Sequence, residues 1–516
     1  KHSSAPKNIL TKPKPLKILF VAAEVAPYAS VGGLGQVIYF LSRALTRQGH
    51  DVRIFTPKYG SLDEAKFKTK LVWPGLAVPT GGKENPLICN VKMHLPAKPD
   101  APVYFLENME YYEMRANVYG YIDDHVRWGL LTRGVLEFLR HSDWVPDVIN
   151  CADWHTGHIP NYLRTVYSQD EKLSRIATVF SIHNLYHQGL FDHRFLSDAE
   201  YDDGKSLVAP FFSDRLKHQN FMRRGIMYAD IVNTVSESYA KEILTPEYGE
   251  KLDQLLREVR TKLYGVLNGL DYNEFNPATD KIIYANYSRN NLASRVKNKL
   301  ALQREFNLPE NPETPVIGMV GRLDEQKGLD LLIPILEPLI KEYEVQFVSV
   351  GGGDAKYRTF LQDLQQRYPK HVGVHLFPNF TLPRHVFAGS DIFLIPSKYE
   401  PFGITAVEAM RYGAVPLVRK TGGLADTVKD YQPESESGCG FVFVNYDHLS
   451  LFGTLIRALE VYKHKSAWQK LVRRAMSADF SWDSAATKYA ELFDKARDLS
   501  KKRTTAKIHK AHQAVT

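Results

Sequence analysis

Residues 17–60 read KILFVAAEVAPYASVGGLGQVIYFLSRALTRQGHDVRIFTPKYG. The apolar run from Ile18 to Ala23 predicts a buried strand, and the glycines at 32, 33 and 35 predict a turn. Apolar residues at helical spacing then predict an amphipathic helix over about Gly35 to Gln48, ended by Gly49, before a second strand from Val52 to Thr56. Strand, glycine turn, helix and strand make one βαβ unit, and such units build parallel sheets.

The same grammar returns as strand VIGMVG (316–321), loop RLDEQKG, helix LDLLIPILEPLIKEY (329–343) and strand VQFVSVGGG (345–353). Two such starts so far apart predict two doubly wound α/β domains rather than one long sheet. GVLNGLDYNEFNP (265–277), a polar stretch and NLPENPETP (307–315) carry the Pro, Asn and Gly of a connection, so 266–315 is expected to join the domains. Ligands of open α/β sheets bind off the carboxyl ends of the strands, which makes the loops of two facing sheets the place to search.

Composition narrows the function classes. The chain has 516 residues, 44% hydrophobic and 24% charged, which excludes disordered, collagen-like and coiled-coil chains. The longest apolar candidate for a membrane span, Lys17 to Ala29, is interrupted by Glu24 and Pro27 and is too short. The net charge of +8 sits in the termini: Lys1, Lys7, Lys12 and Lys14 at one end, and Lys501, Lys502, Arg503, Lys507 and Lys510 at the other. The remainder is nearly neutral, so no nucleic-acid partner is expected. Residues 1–16 and 498–516 are read as solvated basic tails. Residues 1–16 lack the apolar core of a secretory signal. Cys89, Cys151 and Cys439 are too scattered for a disulfide framework or a zinc site, and a cytoplasmic location is expected.

Three loops carry groups with chemical potential. Gly32 and Gly33 stand between a strand and a helix, where backbone N–H groups can approach an anion. The spacing is not that of a dinucleotide fingerprint, and no acidic residue ends the second strand, which argues against a hydride-transfer enzyme. In GRLDEQKG (321–328), Arg322 and Lys327 can converge on one dianionic group. In SKYEPFGITAVEAMRYGAVPLVRKTGGLADTV (397–428), Glu400 lies on a loop and Glu408 on the helix beyond it. Their separation of about two helical turns predicts carboxylates on one face. Gly403 and Thr405 offer donors at a helix start, where the dipole favours phosphate.

In order and spacing, SVGGLG (30–35), CADWHTG (151–157), SIHNLYHQGLF (181–191), NTVSESYAKEI (233–243), GVLNGLDYNEFNP, GRLDEQKG, EPFGITAVE and KTGGLADTV resemble the bacterial glycogen synthase and starch synthase family of retaining glucosyltransferases. The resemblance spans about 17–497, with FSWDSAATKYAELF (480–493) similar to that family's terminal helix region. It implies the GT-B fold: an acceptor domain over 17–265, a nucleotide-sugar domain over 316–480, and a segment 481–497 returning toward the first domain. It also implies glucose transfer from ADP-glucose or UDP-glucose to the non-reducing end of an α-1,4-glucan, with no cofactor and no essential metal.

Carried over by position, the resemblance makes Arg322 and Lys327 the clamp on the donor diphosphate. Glu400 would contact sugar hydroxyls and Glu408 the ribose. His183 and Asp153 would flank the transferred glucose, and Tyr119, Asn184 and Gln188 fall at the sugar or acceptor site. Gly32, Gly33, Gly403 and Thr405 would help to hold the donor. Two departures stand out. The family's first motif reads K-x-G-G-L with an Asp shortly after, and this chain has Ser30 and Gln36 there. In LFPNFTLPRHVFAG (376–389), Pro378 falls where the family stacks a tyrosine on adenine.

Overall fold

The computed structural model describes residues 14–513, so most of the N-terminal basic tail, residues 1–13, lies outside the described residues. The described chain divides into two compact units. One comprises 14–181, 187–232 and 489–513; the other comprises 182–186 and 233–488.

The first sheet is built from β1 (Lys17–Val21), β2 (Asp51–Pro57), β3 (Lys70–Val78), β4 (Leu87–His94), β5 (Val103–Glu107), β6 (Val148–Ala152), β7 (Ala177–Ile182), β8 (Ile231–Thr234) and β9 (Leu263–Gly265). Their lateral order is β3-β4-β5-β2-β1-β6-β7-β8-β9. β1 lies parallel to β2 and β6, with Ile18 opposite Val52 and Val148. The antiparallel β3 and β4 extend one edge. Strands covered on both faces need near-continuous apolar sequence, and Ile18 to Val21 are all buried. The one polar residue inside β6, Asn150, is satisfied by donating to Ser181 Oγ at 2.7 Å.

The helix Gly33–Arg47 buries Val37, Phe40, Leu41, Ala44 and Leu45, the i, i+3, i+4, i+7, i+8 stripe of an amphipathic helix. It starts two residues before the expected Gly35, because Gly32 serves as its N-cap.

The second sheet contains β10 (Val316–Val320), β11 (Gln346–Val350), β12 (Val372–His375), β13 (Ile392–Ile395), β14 (Val415–Arg419) and β15 (Phe441–Phe443). They run in the order β12-β11-β10-β13-β14-β15, with every neighbouring pair parallel. Counted along this unit, that is 3-2-1-4-5-6, the doubly wound dinucleotide-binding order. If the antiparallel pair is left aside, the first sheet shows the same order through β5-β2-β1-β6-β7-β8. The strand order therefore reverses between β10 and β13, and between β1 and β6. Connections from such switch points lead to opposite faces of the sheet, and ligands bind off the strand ends there. The two units are thus Rossmann-like α/β domains of the GT-B type.

Several boundaries differ from the sequence expectation. Residues 233–265 group with the second unit, where the sequence had placed the end of the first domain at 265. The physical reason lies in three contacts: Ser236 donates to the Pro401 carbonyl at 2.8 Å, Ser238 to Asp426 at 2.6 Å, and Glu242 accepts from Gly422 N–H at 2.8 Å.

The stretch 266–315, expected to join the domains, packs within the second unit. Its helix, Arg295–Glu305, buries Asn298, Lys299 and Gln303. Lys299 Nζ sits 2.7 Å from Asp391 Oδ2 and also donates to the Pro312 carbonyl and the Tyr462 hydroxyl. Gln303 donates to Gln346 at 2.8 Å. The expected single helix 329–343 is two, Leu329–Leu332 and Leu336–Tyr343, separated around Pro334.

The termini are corrected as well. Leu16, assigned to the N-terminal tail, is buried and hydrogen-bonds His50. The expected tail from 498 continues the helix Trp482–Gln513, in which Ser500 donates to the Arg175 carbonyl at 2.8 Å and Arg503 pairs with Asp230. Asp230 also holds Arg164 at 2.7 Å.

Removing one member of a buried ion pair costs about 3–5 kcal/mol, because the other charge is left uncompensated. Lys299→Met should therefore destabilise the second unit by about that amount in denaturant titrations. A solvated linker residue would change stability by less than about 0.5 kcal/mol.

Candidate active site

At the switch point of the second sheet, the loop after β10 and the loop after β13 pack on each other. Gly328 adopts φ 77°, and a Cβ there would collide with the Pro396 carbonyl, so the approach demands glycine. Lys398 N–H donates to the Gln326 carbonyl at 2.8 Å. The turn Glu325–Lys327 is capped by Asp324, which accepts from Lys327 N–H at 3.0 Å. This frame aims Lys327 Nζ at Glu400 Oε2, 2.5 Å away. Ser397, fully buried, donates to the same oxygen at 3.2 Å. The Glu400 carbonyl accepts from Gly423 N–H at 3.1 Å, which brings KTGGLADTV to the same place. Arg322 stands exposed on the same loop, its guanidinium donating to Gln326 at 2.8 Å and lying 3.5 Å from Asp324.

Glu400 and Glu408 do not share a helical face. The helix is only Ile404–Arg411, and Gly403 before it is left-handed at φ 79°, so Glu400 belongs to the loop and the expected face is a correction. Gly403 is the N-cap, and a side chain there would press on Leu424 and Glu400 Cγ. Thr405 is half-buried in the first turn. Burial pushes the Glu408 carboxyl up to about 8; the positive charge of Arg384 opposes this and Glu274 adds to it. Arg384 is itself engaged by Asp280 at 2.9 Å and Glu274 at 3.0 Å.

His183 and Asn184 lie in the segment 182–186 that groups with this unit. Burial lowers His183 to about 4, so its imidazole is neutral at pH 7. The Asn184 side chain accepts from Tyr186 N–H at 3.1 Å, closing an Asx turn.

In the first unit, the switch point between β1 and β6 has a different character. Gly32 and Gly33 are exposed, and nothing lies within 4 Å of where a Gly33 Cβ would be. The Gly32 N–H, expected to meet a ligand anion, donates to Glu24 Oε2 at 3.3 Å, and Val31 N–H donates to the same oxygen. Glu24 is only 2% exposed. The anion on this turn is the chain's own carboxylate.

Burial, with the nearby negative charge of Glu24, holds the Tyr119 hydroxyl far above the ordinary tyrosine range. Its ring stacks on His155 with centroids 5.0 Å apart. Asp153 follows β6 with φ 62°, a region that costs a non-glycine residue about 1–3 kcal/mol and tends to occur at functional sites. Its N–H donates to the Ser181 carbonyl at 2.9 Å.

Gln188 is buried, and its side-chain oxygen is taken by Asn220 at 2.8 Å and by Tyr201. Ser30 and Gln36 are both exposed.

Sequence reasoning missed Glu24, Ser397 and His155 as members of these clusters. Glu24 did leave a signal: an acid closing a buried strand just ahead of a glycine turn needs donors, and the nearest are the N–H groups of that turn.

Comparison with known proteins identifies the family. A family profile for the starch synthase catalytic domain matches residues 17–258, and one for group 1 glycosyl transferases matches 303–474. The chain is 42% identical over 495 residues to the glycogen synthase of Moorella thermoacetica, covering 95% of this chain and 98% of that one. It is 41% identical over 487 residues to that of Thermotoga maritima, covering 93% and 99%. Among solved structures it is similar to the catalytic domain of starch synthase IV from Arabidopsis thaliana bound to ADP and acarbose, with TM-score 0.79 and 31% identity over 94% of this chain and 100% of that one. The switch-point loops with their cations and carboxylate, and the relatives that match nearly end to end, place this chain in the glycogen synthase and starch synthase family of glycosyltransferases.

Proposed function

We propose that this protein transfers glucose from ADP-glucose, with retention at the anomeric carbon, to the non-reducing end of an α-1,4-glucan. The observation that carries this reading is the meeting of Lys327 and Glu400 at the switch point of the second sheet, with Arg322 on the same loop. A carbohydrate donor of this class leaves as a nucleoside diphosphate, so negative charge grows on the pyrophosphoryl oxygens as the glycosidic bond breaks. Fixed cations stabilise that charge most where it develops, which lowers the barrier rather than only tightening ground-state binding. Arg322 and Lys327 supply two. ADP is favoured as the leaving group because the Arabidopsis relative is described with ADP bound, alongside acarbose.

Retention needs no attacking carboxylate here. Retaining hydrolases use two carboxylates, one of them the nucleophile. In a front-side displacement the departing diphosphate itself accepts the proton of the incoming sugar hydroxyl on the same face. Glu400 then holds sugar hydroxyls while the anomeric carbon takes on positive character. His183, neutral at pH 7, can accept or donate one hydrogen bond to the transferred glucose without adding charge. Glu408 contacts the ribose. In the first unit, the Tyr119 ring and Asp153 serve the sugar, and the exposed face of Gly33 leaves the backbone accessible to a ligand. The committed oxygen of Gln188 makes that residue a support of the loop 187–191 in this reading.

Released nucleoside diphosphate, measured with ADP-glucose or UDP-glucose and with or without glycogen, tests the assignment. Release with ADP-glucose only when glycogen is present is expected. Release without glycogen means a small acceptor or water, and release with neither donor means a glucan-binding protein. Glu400→Gln, which keeps size and removes charge, should abolish transfer while leaving the circular dichroism of the folded chain unchanged. A wild-type rate in that variant removes the mechanism.

Chelation should leave the rate unchanged, because side-chain cations do the neutralising. Loss of activity in EDTA that Mg²⁺ restores would contradict the proposal.

Glu408 brings a pH dependence. With its carboxyl pushed up to about 8, it is mostly neutral at pH 7 and ionises as the pH rises through that value. Hydrogen bonds to a carboxylate are stronger than those to a neutral acid. The KM for ADP-glucose should therefore fall between pH 7 and 9 in the wild type and stay flat in Glu408→Gln. Parallel profiles in the two proteins would remove Glu408 from the ribose.

A further inference from the structure

The two oxygens of Glu400 have different surroundings. Oε2 receives both Lys327 Nζ at 2.5 Å and Ser397 Oγ at 3.2 Å, whereas Oε1 has no hydrogen-bond partner among the described residues. Ser397 is fully buried and Glu400 is 9% exposed. Both lie on the short loop between β13 and the helix Ile404–Arg411, three residues apart. A carboxylate turns about its last bond in two broad, roughly equivalent orientations. Two donors on one oxygen select one orientation and leave the other oxygen for a ligand.

Those two donors are not equivalent through a catalytic cycle. Lys327 is an ammonium on a flexible stem, and under the function proposed above it is also the cation that meets the donor diphosphate. Once phosphate oxygens arrive, the ammonium divides its interaction between them and Glu400. Ser397 has no such second obligation: its hydroxyl is enclosed, and its partner is on its own loop. We propose that Ser397 is a positioning residue, whose buried hydroxyl keeps Glu400 oriented toward the sugar while Lys327 is drawn to the diphosphate.

This inference rests on the donor-site reading, and its test separates the two. Ser397→Ala removes a hydrogen bond to a charged group, which corresponds to a loss of roughly ten- to hundredfold. That loss is expected in kcat, with the Kd for ADP changed by less than about threefold, since ADP carries no sugar for Glu400 to hold. The discriminating readout is the preference for ADP-glucose over ADP, measured by calorimetry without acceptor in the wild type, Ser397→Ala, Glu400→Gln and the double variant. Ser397→Ala should erode that preference in the wild-type background and leave it unchanged in the Glu400→Gln background, the non-additivity of a residue that works through its neighbour.

Ser397→Cys keeps the side-chain size with a weak donor and decides the matter if the alanine variant does not fold. An intermediate kcat supports the proposal, and a wild-type kcat overturns it. Equal erosion in both backgrounds, or an alanine variant with wild-type kcat, also overturns it. If the wild-type protein binds neither ADP nor ADP-glucose, the donor-site reading itself falls.

Discussion

The contact between the Lys327 ammonium and the Glu400 carboxylate depends on nearly everything else in the second unit, and the chemistry depends on it. The two residues are 73 positions apart and meet because β10 and β13 are neighbours in a parallel sheet whose strand order reverses between them. Their loops can touch only because Gly328 lacks a side chain where the Pro396 carbonyl passes. Glu400 is nearly buried, and Lys327 is largely covered. Removing charges from water in this way is costly unless they are paired, so each side chain holds the other in place. Under the proposed function, a diphosphate entering the loop offers the lysine a second partner. What holds the resting site together is also what the donor must share.

Two glycine-rich turns of this protein hold a carboxylate of the chain itself. Glu24 occupies the N–H groups of Val31 and Gly32, and Glu242 occupies Gly422 N–H and the Thr421 hydroxyl. Both carboxylates gain donors they could not do without in the interior. A glycine turn at a helix start is therefore evidence of an anion, and only packing says whose anion it is. In the first unit, Ser30 beside the turn is exposed and brings no charge to it. There the turn holds a carboxylate, and the groups near it are the Tyr119 phenol, the His155 ring stacked on it and the acidic, strained Asp153.

Where the sequence misled, the cause was a polar group with a partner distant in the chain. The helix Arg295–Glu305 carries too little apolar surface to announce burial, yet Lys299 and Gln303 are enclosed because Asp391 and Gln346 satisfy them. The C-terminal helix reads as a charged tail until Arg503 is seen against Asp230. The spacing of Glu400 and Glu408 suggested a shared helical face, which one left-handed glycine between them removes.

Hydrophobic periodicity and turn chemistry are local, so the sequence alone determined the two βαβ starts, the parallel sheets and the loops that bear Arg322, Lys327 and Glu400. Which strands became neighbours, and hence that Lys327 faces Glu400 and that Ser397 stands behind it, was decided by tertiary structure. Pairing of buried charges and hydroxyls is settled by what lies across the sheet, and distance along the chain carries no record of it.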